Sequence, residues 1–232
     1  MSQKSTQIPK HLGLIIDGNR RWAKERGLSS IEGHKQGYET LKTIGKEAIK
    51  QGVEYVSAYV FSTENWQRSK EEIDYLMKLL IWVFKHEINQ FDKEGIRLRV
   101  IGSEEHLSKP VIQAIGAAQE KTKDNKKGTL VLCLNYGGQQ EMADAATKII
   151  NKNPKIDVIT PDMIEQNLYS ADVPPVDLII RTSGEERLSN FMLWRAAYSE
   201  LYFSNKLWPD FTPADLSIAF AEYARRQRRY GS

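Results

Sequence analysis

The chain has 232 residues, 41% of them hydrophobic and 27% charged, with a formal net charge of +3 and a single cysteine, Cys133. That composition can bury one sizeable core, but it supplies no continuous basic stripe for nucleic acid, no disulfide framework and no thiolate metal site. No stretch approaches the roughly 20 apolar residues of a membrane span, residues 1–10 form a polar extension without a signal-peptide core, and no repeat or linker divides the remainder. A single cytoplasmic domain over 1–232 is expected.

Residues 12–16 read as a buried parallel strand that stops at Asp17-Gly18-Asn19-Arg20-Arg21-Trp22. Gly18 permits a tight turn, and Asn19 suits the cap of a helix running to Arg26, before Gly27. The first amides of such a helix carry roughly half a positive charge, and Arg20 and Arg21 add two more, so the natural guest is a phosphate. Asp17 would repel a bound polyphosphate by about 1 to 4 kcal/mol at contact distance unless a divalent cation lies between them, and magnesium suits one carboxylate plus phosphate oxygens. The same residues also fit a plain strand-turn-helix with a solvated arginine pair. Downstream, His34 in Gly33-His34-Lys35 can donate to a phosphate, act as a general acid near neutrality, or simply cap or pack.

Helical patterns at 38–51, 71–93, 109–123 and 139–151 alternate with apolar runs at 53–61, 96–101, 129–135 and 176–180. This alternation predicts an α/β fold with a central, mainly parallel sheet flanked by helices. Cys133 lies within one of these runs and reads as a buried filler. Segment 71–93 is apolar around much of its circumference, through residues such as Ile73, Leu76, Met77, Leu80 and Phe84. One face should pack on the sheet. The other is open to three readings: deep core, the wall of a tunnel, or a subunit interface.

Two further strands end in polar clusters. After 53–61 come Ser62-Thr63-Glu64-Asn65-Trp66-Gln67-Arg68, and after 176–180 come Arg181 to Asn190. The carboxyl ends of parallel strands are where open α/β sheets bind ligands. Arg181, Arg187 and Ser189 can hold a diphosphate through guanidinium forks and a hydroxyl, or Arg187 can pair with Glu185 or Glu186. Glu200, an acid among aromatics, requires an arginine or metal partner. A C-terminal helix and basic tail over 213–232 contains Arg225-Arg226-Gln227-Arg228-Arg229. His11, His86 and His106 lack zinc spacing, and there is no Walker loop, nucleophile elbow or Gly-x-Gly-x-x-Gly.

In chain order, Asp17-Gly18-Asn19-Arg20-Arg21-Trp22-Ala23, Gly33-His34-Lys35, Phe61-Ser62-Thr63-Glu64-Asn65-Trp66, Asn135-Tyr136-Gly137-Gly138 and the block 177–210 resemble the cis-prenyltransferases, with undecaprenyl diphosphate synthase the type member. The resemblance implies a homodimer with an apolar tunnel between sheet and helices. It also implies magnesium-dependent condensation of isopentenyl diphosphate with an allylic diphosphate (dimethylallyl, geranyl or farnesyl) to form Z double bonds. By it, Asp17, Asn65 and Arg68 are the catalytic residues, and Asp17 and Glu200 the metal-handling acids. Gly18, Asn19, Arg20, Arg21, Trp22, His34, Ser62, Glu64 and Trp66 would take the allylic substrate. Arg181, Arg187 and Ser189 would take the isopentenyl diphosphate, joined across the dimer by Arg228 and Gly231. Val60, Met77, Leu80 and Phe84 would line the tunnel, and a long product would bring contact with a membrane surface.

Three positions depart from the family pattern: Ser30 stands where many members have an arginine, Val60 where long-chain members have an alanine, and Gln139 where an arginine often follows Tyr-Gly-Gly. Room therefore remains for a short or branched Z-prenyl product. From another class, the rival is a non-catalytic partner subunit of the same fold.

Overall fold

The computed structural model describes residues 7–226. Six strands form one sheet in the order β3-β4-β2-β1-β5-β6, every neighbouring pair parallel. In chain order the elements are β1 (His11–Ile15), α1 (Asn19–Glu25), α2 (Ser30–Lys50), β2 (Tyr55–Ser62), α3 (Lys70–His86), α4 (Ile88–Lys93), β3 (Ile96–Ile101), α5 (Lys109–Thr122), β4 (Gly128–Tyr136), α6 (Gly138–Lys152), α7 (Pro161–Asn167), β5 (Leu178–Arg181), β6 (Glu200–Phe203) and α8 (Pro213–Arg225). Every residue of β1 and β4 is buried, as a strand covered on both faces requires, which is why both read as unbroken apolar runs. Leu12 and Leu14 face a core shared with Leu41 and Ile44 of α2, Phe84 of α3 and Phe220 of α8. Ile15, Val131, Cys133 and Ile179 face the opposite layer, with Phe191 and Met192 from the segment before β6. Among the described residues, no helix is long and apolar enough to cross a membrane.

Several elements differ from the sequence pattern. α2 begins at Ser30 rather than near residue 38, because Ser29 and Glu32 form a reciprocal capping box ahead of two glycines that weaken the helical signal. Segment 71–93 is two helices separated at Glu87. The N-cap of α1 is Gly18, at φ 111°, and Asn19 is already helical. The edge strand β6, four residues long, falls below what alternation can signal, as does the seven-residue α7.

The second layer is tied down by a buried ion pair that the sequence pattern does not mark. Arg195, 3% exposed, donates through Nη1 to both Glu141 carboxylate oxygens at 3.0 and 3.2 Å and through Nε to the Val173 carbonyl at 3.1 Å. The Tyr136 hydroxyl and the Tyr169 amide occupy the rest of that carboxylate. Burial of such a pair is tolerable because its lone pairs and protons are satisfied.

His11 is equally enclosed, with Nδ1 2.8 Å from the Pro174 carbonyl and Nε2 2.7 Å from Ser57 Oγ. Burial pushes its pKa down to about 4. An unfolded histidine titrates near 6.5, so between that pH and about 4 the unfolded chain binds a proton that the native state refuses, and stability falls as pH falls. We expect a loss of about 3 kcal/mol across this window from His11. Urea midpoints measured from pH 7 to 4 should fall less steeply for His11→Gln than for the wild type, and parallel curves would contradict the assignment.

Candidate active site

The carboxyl ends of β1, β2 and β5 converge on one edge of the sheet. After β1 the chain turns at Asp17 and Gly18. The Asp17 carbonyl accepts from the Trp208 amide at 3.0 Å and the Thr182 hydroxyl at 2.7 Å, which fixes the turn between β5 and the segment preceding α8. The Asp17 carboxylate projects to Arg181 at the end of β5, with Nη2 3.0 Å from Oδ2. Arg181 is 3% exposed, and its other terminal nitrogen donates to Ser189 Oγ at 2.7 Å and to the Arg187 carbonyl. Its Nε has no hydrogen-bond partner among the described residues. The loop carrying Ser189 holds Ser183, Ser189, Asn190 and Met192 at positive φ, a strained path that only surrounding contacts maintain.

An open cleft of about 1410 Å³ is lined by Asp17, Gly18, Asn19, Arg20, Arg21, Ser30, His34 and Arg68, so these residues meet in one place. The first turn of α1 borders it without a side-chain cap, leaving its amides to a ligand. Ile16, Asn19 and His34 are shared with a second, apolar cavity between sheet and helices. That cavity is walled by Tyr38 and Leu41 of α2, Val60 of β2, and Leu80 and Phe84 of α3. Met77 packs elsewhere, against the cluster of Phe61, Leu76, Val111 and Leu134. A third cleft of about 1020 Å³ is lined by Ser62, Glu64, Gln139, Asn190 and the Ser189 that accepts from Arg181.

The remaining residues expected at the site divide between these clefts and local structure. Ser62 and Glu64 line the Ser189 side of the edge, where Asn190 donates to Glu64 Oε1 at 3.3 Å. Asn65 accepts from the Ser62 amide at 3.1 Å and Trp66 donates to Asn135 at 2.7 Å, so both brace the single 3-10 turn Thr63–Gln67. Trp22 turns outward, its indole donating to Asp210 at 2.7 Å under the Arg26 guanidinium. Arg21 donates to Ser183 and, at 3.3 Å, to Glu185, which also pairs with Arg187. Glu200 finds the arginine that its setting demands, Arg226 Nη1 at 2.9 Å. Strand register aligns Glu200 with Leu178 and Leu12, at the amino end of the sheet, so Glu200 and Asp17 of one chain do not share a site. Arg228 and Gly231 lie outside the described residues.

Sequence reasoning missed Glu72. It is 7% exposed, and one carboxylate oxygen lies 2.9 Å from His34 Nε2 and 3.1 Å from Arg68 Nη1. The available signal was an Arg-x-x-x-Glu spacing at the start of a helix otherwise apolar on that face. Burial lowers the His34 pKa, opposed by its bond to Glu72.

Close contact between α1 and α2 shapes the cleft. A Cβ on Gly33 would fall inside the contact radius of the Asn19 carbonyl oxygen and 3.1 Å from the Ala23 side chain. A glycine-to-alanine change inside an ordinary helix gains about 1 kcal/mol. Here Gly33→Ala should instead cost about 1 to 3 kcal/mol by displacing α1, measurable by urea unfolding. A more stable variant would refute this packing.

An open parallel α/β sheet whose strand ends form an arginine-rich anion cleft continuous with an apolar cavity defines a class: proteins that hold an amphiphile by its anionic head and its hydrocarbon tail. The undecaprenyl diphosphate synthase family model matches residues 15–231, and the chain belongs to that family, which makes it a prenyltransferase. It is 46% identical over 228 residues to the isoprenyl transferase of Thermotoga maritima, covering 97% of each chain. With that of Clostridium perfringens it shares 46% identity over 229 residues, 97% of this chain and 90% of the relative. The crystal structure of lavandulyl diphosphate synthase from Lavandula x intermedia in complex with dimethylallyl diphosphate superposes with a TM-score of 0.92 at 36% identity, covering 97% and 98% of the two chains. A probable undecaprenyl diphosphate synthase from Campylobacter jejuni gives 0.82 at 32%, covering 97% and 100%.

Proposed function

We propose that the enzyme condenses isopentenyl diphosphate with an allylic diphosphate, extending a Z-prenyl chain into the apolar cavity. The observation that carries this reading is the continuity of the anion cleft with that cavity through Ile16, Asn19 and His34. An allylic diphosphate requires both environments at once: donors for its head, and a water-free wall for its tail. Arg20, Arg21 and the α1 amides would bind the head, and Arg68 stands beside it. Ser189, presented on the other side of Arg181, would take the isopentenyl diphosphate together with Arg181 and Arg187.

Departure of the allylic diphosphate leaves a carbocation, so stabilising the leaving charge is the central task, and preorganised cations do this without reorganisation. Asp17 fits magnesium in the manner that hard cations favour, with one carboxylate and the remaining ligands from phosphate and water. When bound, the metal supplies neutralisation of the departing diphosphate. Glu200 contributes nothing to that ion within one chain, because strand register places it at the opposite end of the sheet. A homodimer completes the reading, supported by the apolar edge beside β6, where Ile218 is 57% exposed and Leu201, Tyr202 and Phe203 line an open groove.

Asp17→Ala would strip Arg181 of its carboxylate, so Asp17→Asn, which keeps an acceptor, is the cleaner test. In an assay with radiolabelled isopentenyl diphosphate, farnesyl diphosphate and magnesium, it should fold normally yet lose about 100-fold or more of the turnover. Near-normal activity would overturn the mechanism, and a wild type inactive with all three allylic primers would favour a non-catalytic subunit.

A second reading, a short or branched product, is favoured by Val60, which lines the cavity, and by the likeness to lavandulyl diphosphate synthase. Val60→Ala should lengthen the products separated by chromatography. An unchanged distribution would remove this residue from control of chain length.

A further inference from the structure

Four elements send a charged or titratable group to one point beneath the anion cleft. Arg20 comes from α1, His34 from α2, Arg68 from the turn before α3, and Glu72 from the first turn of α3. Glu72 Oε1 receives His34 at 2.9 Å and Arg68 at 3.1 Å, and Oε2 lies 4.0 Å from Arg20 Nε. Its amide is held by the Ser69 hydroxyl at 3.3 Å, which fixes the acid on the helix end. The three basic side chains differ greatly in exposure: that of Arg20 is 64% exposed, that of Arg68 26% and that of His34 8%. Left alone, long arginines spread over many rotamers, and each loses conformational entropy when a ligand orders it.

We infer that Glu72 is a positioning residue for the diphosphate-binding step: it does not touch substrate, but it holds Arg20, His34 and Arg68 in one orientation from below, so that their remaining donors face the cleft. This rests on the cleft being the allylic diphosphate site. Two features separate this role from a simple structural salt bridge. The acid is shared among three groups that all belong to the cleft, and it joins them to α3, whose Leu76 and Leu80 wall the apolar cavity. Head and tail of an allylic diphosphate would thus be received by elements in a set relation to each other. The hydrogen bond from His34 and the charges of Arg68 and Arg20 outweigh burial and keep the Glu72 carboxyl below its ordinary pKa, so it is anionic at neutral pH.

The sign of the effect makes the inference testable. By charge alone, deleting an acid from an anion site should tighten anion binding, because a repulsion disappears. Positioning predicts the reverse. In Glu72→Gln the amide can still accept from His34 and Arg68 but turns an N–H toward Arg20. Its KM for farnesyl diphosphate should rise about tenfold, as expected when the charge that strengthens the bonds from His34 and Arg68 and attracts Arg20 is lost, with the KM for isopentenyl diphosphate within about twofold of wild type. Calorimetric binding of inorganic diphosphate with magnesium should weaken in parallel. Glu72→Asp, which keeps the charge but retracts it by one methylene, should fall between wild type and Glu72→Gln, and it supplies the same comparison if the amide variant folds poorly. Unchanged or tighter farnesyl diphosphate binding in a folded variant overturns the inference, as does an equal rise in both KM values. A wild type that neither turns over nor binds inorganic diphosphate would instead overturn the reading of the site itself.

Discussion

The contact between the Asp17 carboxylate and the Arg181 guanidinium constrains everything around it. It spans the ends of β1 and β5, neighbouring strands of the sheet. Arg181 is almost wholly buried, so its charge needs compensation within the protein, and Asp17, Ser189 and the Arg187 carbonyl provide it. The same bonds draw the loop with four left-handed non-glycine residues against the strand end. Arg181 thus bridges Asp17, which lines one cleft, and Ser189, which lines another.

Charge pairing recurs throughout the cleft. Asp17 faces Arg181, Glu185 faces Arg21 and Arg187, and Glu72 faces His34, Arg68 and Arg20. Each of these arginines therefore has a carboxylate partner within the protein. Exposed pairs such as Glu185 with Arg187 contribute little and exchange readily, whereas buried ones keep their geometry. Burial thus divides the arginines into exposed ones whose pairs rearrange readily and enclosed ones of fixed geometry.

The apolar cavity depends on an equally local constraint. Gly33 and Gly37 let α1 press against α2, and Asn19 fills the resulting contact at the junction of cleft and cavity. Any larger residue at Gly33 would separate the two helices and, with them, the anionic and apolar halves of the site. Residues of α2, α3 and the sheet then wall the cavity, among them Val60, Leu80 and Phe84.

Most of the architecture was legible in one dimension. Buried parallel strands carry no alternation and read as apolar runs, and polar clusters follow them wherever the carboxyl edge forms a site, so Asp17, Arg20, Arg21, Arg68 and Arg181 could be assigned to one edge from residue types and order alone. Trp22, Asn65 and Met77 show the limit of that reading, because a motif states which residues occur together but not which way each side chain points. Glu200 shows it more strongly: its need for a partner followed from burial, yet strand register put that partner at the opposite end of the sheet from Asp17. Glu72 showed only its spacing from Arg68, and the Glu141–Arg195 pair showed nothing, because Arg20, His34 and the pair's own members lie tens of residues apart. The sequence by itself determined the fold class and the edge at which the polar clusters gather, through periodicity and residue type, and the family, through the resemblance of its motifs. Which acid meets which base was decided only by tertiary structure, because electrostatic partnership depends on distance in space and on burial, and neither is a property of position along the chain.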